Sequence, residues 1–200
     1  MTAAPRRMGA ENSKTRLLLL DITERLMLEE GYAAVGVRRV AREAEVAPAL
    51  VLYYFRALDD LFLAVLRRRA ERESERVVRA LDGPQPLRAL WKLNSHPGNA
   101  LTTEFTALAN HRKSIRAELA AHAERYREAQ VEALTRRLAQ TGVELPPGTS
   151  PAVLQMLTNA LGRTLTMETT MGVSTRHAET HAFVESLLSR YEGAPTESGE

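Results

Sequence analysis

Apolar side chains recur three and four residues apart along almost the whole chain, and no stretch alternates apolar and polar residues with the two-residue period of a strand. That spacing restricts the fold to packed helices. Leu19, Ile22, Leu26 and Met27 mark the first, which Ser13 can cap and Gly31 stops, predicting a helix over residues 13–30. After Gly36, a tolerable cap, Val37, Val40, Ala41 and Ala44 form the stripe of a short second helix. Pro48 stands in a first-turn position and opens a third helix ending at Phe55, with Val51, Tyr54 and Phe55 turned inward. Leu58, Leu61, Phe62 and Val65 begin a long fourth helix, reaching Leu81, whose first turn holds Asp59 and Asp60 where the macrodipole favours acids.

Beyond the Gly83-Pro84 and Pro86 breaks, the pattern predicts helices over residues 86–94 and 97–110, then a long one to about residue 140. A turn-rich break at 142–151 precedes two more, over 151–171 and 175–191. Val153, Met156, Leu157, Leu161, Leu165 and Met167 place apolar surface on more than one face of the penultimate helix, which must therefore be covered on two sides. The expectation is an all-α fold of about nine helices.

Composition narrows the function. The 200 residues, 44% hydrophobic and 26% charged, suffice for one or two domains with a real core. No apolar run approaches the roughly 20 residues of a membrane span, and none follows Arg6 and Arg7 as an export signal would require. The absence of cysteine excludes disulfides, thiol catalysis and cysteine-ligated zinc. A cytoplasmic, nucleoid-associated protein is expected. His177 and His181 stand four residues apart, but HAETH does not reproduce the H-E-x-x-H zinc pattern, so no metal site is expected. Neither a nucleophile elbow nor a phosphate-binding glycine loop occurs, so neither catalysis nor a cofactor is expected.

The net charge of +2 is too small to announce a nucleic-acid binder, but its distribution is uneven. Residues 1–80 carry 15 Lys and Arg against 12 Asp and Glu, whereas residues 81–200 carry 12 against 13. In the first 16 residues Arg6, Arg7, Lys14 and Arg16 face only Glu11, and four arginines face two glutamates between Gly36 and Arg56. Both stretches are candidate phosphate-facing surfaces.

The second and third helices, joined by a short turn, have the layout of a helix-turn-helix, whose second helix enters the major groove. The run from Leu19 to Leu66 resembles the TetR family of bacterial one-component transcriptional regulators. Gly31-Tyr32, the VRRVAREAEV segment, the YYF triplet at residues 53–55 and the DDLFLAVL opening of the fourth helix fall in family order and spacing. The resemblance implies a homodimer whose heads read a palindromic operator in double-stranded DNA, with a ligand-responsive body from the fourth helix onward. It further implies a repressor of neighbouring genes released by a small organic effector. The alternative is a helix-turn-helix protein without small-molecule response, regulated by a protein partner or by abundance.

The chain departs from the family at Gly36, Glu45, Leu52 and Leu58, where threonine, glycine, tyrosine and lysine are frequent, and Ala57 lacks the hydroxyl that would cap the fourth helix. Phosphate contact is then expected from Lys14, Arg16, Arg38, Tyr54 and Arg56 around Gly36, with Arg39 and Arg42 on a solvated face. Base reading falls to Pro48, Ala49, Leu50, Leu52 and Tyr53, mostly apolar contacts suited to thymine methyl groups. The expected division is a basic arm (1–12), a DNA-binding domain (13–57), an effector and dimerisation domain (58–193) and a frayed tail (194–200). Trp91, Phe105, Leu108, Met156, Asn159 and Arg163 are candidates for the effector site. His111 could donate to a buried ligand or merely cap its helix. Leu165, Phe183, Leu187, Leu188 and Tyr191 are candidates for the dimer interface.

Overall fold

The computed structural model describes residues 13–195; the arm at 1–12, and the tail beyond 195, lie outside them. Among the described residues there are nine α-helices and no strand: α1 (Lys14–Glu30), α2 (Val37–Glu43), α3 (Pro48–Tyr54), α4 (Leu58–Leu81), α5 (Pro86–Asn94), α6 (Ala100–Ala109), α7 (Lys113–Thr141), α8 (Pro151–Thr170) and α9 (His177–Glu192). Local chemistry sets many of the ends. The Ser13 hydroxyl accepts from the Arg16 N–H at 3.2 Å, and Gly31 ends α1 at φ +82°, where a side chain would be strained. Ser150 caps α8 in the same way, with Pro151 in the first turn. At α4 the missing hydroxyl of Ala57 is half compensated, because the Ala57 N–H donates to the Asp60 carboxylate at 3.2 Å.

Two short 3₁₀ turns escaped the pattern. Residues 97–99 form one instead of the start of α6, because the Asn99 amide donates to the carbonyls of Leu93 and Asn94 and holds the chain against the end of α5. The other, Tyr32–Ala34, lies between α1 and α2.

The chain divides into two compact units. The first contains the chain up to Arg69 together with Leu101–Ala120. Its core joins Leu19, Leu26 and Met27 of α1, Val40 of α2, Val51 and Phe55 around α3, and Leu61 and Phe62 of α4 to Leu101, Phe105 and Leu108 of α6. Full burial of such side chains stabilises by about 1.5–3 kcal/mol each. The compact unit therefore extends past residue 57, because three short helices alone bury too little apolar surface.

The second unit holds Ala70–Ala100 and the chain from Ala121 onward. Its core gathers Val77 and Leu81 of α4, Leu87, Leu90 and Trp91 of α5, Leu134 of α7, Leu165 of α8 and Leu188 of α9. A chain of amides runs through it. Gln155 donates to Gln130 at 2.9 Å, Gln130 to Asn94 at 3.2 Å, and Asn94 to the Thr158 hydroxyl at 2.9 Å. These hydrogen bonds favour one register among the packed helices, while the buried Gln155 Oε1 accepts none. Gly162 of α8 lies directly against the backbone of Asn94, so α5 and α8 pack at the closest approach a helix permits.

Candidate nucleic-acid interface

In the first unit, Val51 and Phe55 anchor α3 to the core, and the rest of its surface follows from helical geometry. Pro48 and Ala49 are exposed, Leu50 is half-buried, and Leu52 and Tyr53 stand 45% and 50% exposed. Tyr54 packs partly against the core and meets the ring of Tyr53 edge-on at 5.4 Å. An exposed leucine beside an exposed tyrosine on a helix of only 7 residues is an unfavourable surface unless something covers it.

The turn before α3 requires a left-handed residue. Glu45 fills it at φ +54°, which accounts for the glycine frequent in the family there and leaves a carboxylate at the turn. The cations around α3 divide into two sorts. Arg39 is bound to Glu30 at 2.7 Å and to Glu43 at 3.0 Å, and Arg25 to Glu43 at 2.9 Å. Arg25 and then Arg39 hold the Glu43 carboxyl below the usual carboxylate range. Arg38 and Arg42 are exposed and make no hydrogen bond or ion pair among the described residues. Arg42, which the sequence placed on a solvated face, is thus as available as Arg38. Arg16 lies over the Phe55 ring at 5.3 Å, Lys14 and Arg56 are exposed, and Gly36 begins α2 in an extended conformation.

Glu104 is a residue that sequence reasoning missed in this role. Its carboxylate accepts from the Tyr32 N–H at 2.8 Å, fastening α6 to the turn that leads into α2. The signal was there only as an acid on a mostly apolar helix.

The expected effector set is not one site. Phe105 and Leu108 are fully buried in the core of the first unit, where α6 packs. His111 is exposed at the end of α6. Met156 and Arg163 lie on the exposed side of α8, with Asn159 half-buried. Trp91 borders a partly open cavity of about 260 Å³ in the second unit, formed by α5, α8 and α9 with Pro146. Leu87, Leu154, Leu161, Val184 and Leu187 are part of its apolar wall, Leu157 and Phe183 line it as well, and no charged residue does. The dimer set is likewise divided. Leu165 and Leu188 are buried in their own unit's core. Leu187 and Tyr191 are half-buried, and Phe183 is 63% exposed. Exposed apolar residues on α8 instead form one stripe: Val153, Met156, Leu157, Met167 and Met171. His177 binds Glu168 at 2.7 Å, and His181 meets the Trp91 ring edge-on at 5.9 Å.

A helix-turn-helix head, with its second helix bare and unpaired arginines beside it, defines a helical DNA-binding protein. Residues 19–65 match the family described as bacterial regulatory proteins, tetR family. Over those residues the chain carries the tetR-family match that the sequence led us to expect, and the match supports DNA-binding regulation. The fold is shared with solved structures. A TetR transcription regulator from Haloarcula marismortui is 20% identical, with 89% of this chain and 96% of that one covered at a TM-score of 0.68. A candidate TetR-family regulator from Rhodococcus sp. is 21% identical, with 90% and 100% covered at 0.67. A candidate regulator from Saccharomonospora viridis, in complex with choline, is 20% identical, with 87% and 95% covered at 0.71. No curated protein matches the chain in sequence. No helix among the described residues is long and apolar enough to cross a membrane.

Proposed function

We propose that the protein is a homodimeric transcriptional repressor that binds a palindromic operator and releases it when a small organic molecule occupies the second unit. The observation that carries the DNA reading is the bare face of α3, where Leu52 and Tyr53 stand exposed beside the unpaired Arg38 and Arg42. Arginines grip phosphate and set register, and the apolar residues of α3 then read base edges, thymine methyl groups above all. Lys14, Arg16, Tyr54 and Arg56 add backbone contacts around Gly36. One head contacts too few base pairs for a specific site, so two heads are needed, and their two-fold axis sets the palindrome. The apolar stripe of α8, with Phe183 of α9, supports pairing of the second units with a second copy of this chain.

The cavity between α5, α8 and α9 supports an uncharged, largely apolar effector, because its wall offers only the hydroxyls of Thr158 and Tyr191 and the indole N–H of Trp91 as polar side-chain groups. The Saccharomonospora viridis structure, in complex with choline, supports small-molecule binding in this fold. Trp91 is the only tryptophan of the chain and lines the cavity, so its fluorescence reports occupancy. The switch would pass along α4, a single helix from Leu58, next after α3, to Leu81 in the second core.

Selection of binding sites from a random DNA pool tests the reading. Enrichment of an inverted repeat is the expected result; a pool that yields no inverted repeat overturns it.

A further inference from the structure

Outside the head, positive charge concentrates once more, in the second unit where α4 gives way to α5. A cavity of about 460 Å³ opens there, walled by the last turns of α4, residues 83–85 and α5. Arg76 and Arg79 of α4 and Arg88 and Lys92 of α5 line it, and none of its lining residues is acidic. Pro84, Ala89 and Leu93 give it an apolar share.

The neighbouring acids do not exhaust these cations. Arg88 is 5% exposed and bound to Glu185, whose carboxyl it holds below the usual range, yet its buried Nε–H finds no acceptor. Arg79 meets Glu75 at 3.6 Å with both side chains 73% exposed, a pair that water screens. Arg76 and Lys92 make no hydrogen bond or ion pair among the described residues. Glu185 and Glu192 stand near Arg88, Glu185 also faces Lys92, and Glu75 stands near Arg79, so three carboxylates meet four cations. The remaining positive charge lies on a concave wall that holds no acid, where low-dielectric surroundings focus the field. Concavity selects the occupant. A nucleic-acid backbone needs an extended ridge or groove, whereas a pocket of this volume fits a small molecule. Guanidinium groups pair with carboxylate or phosphate in bidentate fashion.

We propose that this cavity binds a small organic anion, a carboxylate or phosphate ester with an apolar portion, at a site separate from the apolar cavity of α5, α8 and α9. The inference goes beyond the repressor reading and does not depend on it. A ligand here would tie the last turns of α4 to α5, and so act on the same helix that begins beside α3.

Calorimetric titration of the full-length dimer or monomer with phenyl phosphate, benzoate and neutral benzyl alcohol tests it, with wild type beside the double variant Arg76→Ala, Lys92→Ala. Both residues are exposed, and matching thermal unfolding curves verify the variant's fold. One saturable site per chain is expected for phenyl phosphate or benzoate, weakening with added salt, and the tighter of the two identifies the head group. Benzyl alcohol should bind at least about tenfold more weakly, and the double variant should lose at least about tenfold in anion affinity. Equal binding of the alcohol, equal affinity in the double variant, or no binding of either anion at millimolar concentration overturns the proposal. The selected operator supplies a separate arm. The double variant should bind it as wild type does; a parallel loss of DNA binding would make these cations DNA contacts and also overturn the proposal. Should wild type select no operator, the anion titrations remain readable, so the two readings fail independently.

Discussion

Replacing Gly162 by alanine sets two physical effects against each other at one position. Helix propensity favours the change: Gly162 lies inside α8, where alanine is better than glycine by about 1 kcal/mol. Packing opposes it. A Cβ at this position would stand 2.7 Å from the Asn94 carbonyl carbon and 3.0 Å from the Ser95 nitrogen, with the Asn94 oxygen nearer still. Ordinary contact begins near 3.4 Å, so α5 and α8 must separate by most of an ångström, and backbone atoms cannot swing aside as a side-chain tip would. Overpacking of this kind costs about 1–3 kcal/mol and more where backbone is displaced. The separation also stretches the Asn94 to Thr158 hydrogen bond, worth roughly 1 kcal/mol more. Net destabilisation of about 1–3 kcal/mol remains after the propensity gain, a large share of the 5–15 kcal/mol typical of native proteins. For 200 residues this corresponds to a fall in Tm of roughly 2–12 °C. Thermal unfolding of wild type and Gly162→Ala at one fixed protein concentration measures it. A variant as stable as wild type, or more stable, would show that α5 and α8 do not meet at this glycine.

The other expectations concern charge and surface. Arg38→Ala should weaken binding to all DNA sequences alike and reduce the slope against log salt by about one, whereas Tyr53→Ala should change the bases selected; titrations at several salt concentrations and a repeat selection separate the two. Glu45→Gly removes both a left-handed non-glycine residue and a carboxylate at the turn, so operator affinity should rise, and unfolding should show a gain of up to about 1 kcal/mol, the relief of strain less the entropy glycine brings to the unfolded chain. The depressed carboxyls of Glu43 and Glu185 contribute stability that is present above about pH 4.3 and lost as pH falls through their lower folded values. Tm should therefore drop below that pH, less steeply in Glu43→Gln and Glu185→Gln. Glu192, raised mainly by burial, has the opposite sign, its stability lost as pH rises through its folded value. Phe183→Asp should yield monomers in sedimentation at micromolar concentration while the subunit stays folded; a stable dimer would place the contact elsewhere.

What could be read from the sequence follows from the range of each interaction. Helix boundaries depend on neighbours within four residues, and Ser13, Gly31 and Pro48 therefore announced them. The same locality exposed α3, since Val51 and Phe55 inward leave Leu52 and Tyr53 outward whatever the rest of the chain does. The preference for Arg38 over Arg42 finds no counterpart in their exposure, and Arg39 could not be set apart from Arg42, because its partners Glu30 and Glu43 become neighbours only when α1 and α2 pack.

Sorting the apolar residues of the body was harder for the same reason. Periodicity says that a leucine faces another element, but not which one, so Phe105 and Leu108 could not be separated from Trp91, nor Leu188 from Phe183. Their assignments turn on contacts between helices distant in the chain. The second-unit core shows how such contacts become specific: Gly162 admits α5 to close approach, and Asn94, Gln130, Gln155 and Thr158 then lock its register through hydrogen bonds. None of these residues advertises itself in an amphipathic pattern, since one is a glycine within a helix and the others are polar at buried positions. Each weakens the local helical signal, and each is explained only by its partner on another helix. The cavities flank this locked pair of helices, so the residues least legible in the sequence are the ones that fix the geometry of both candidate ligand sites.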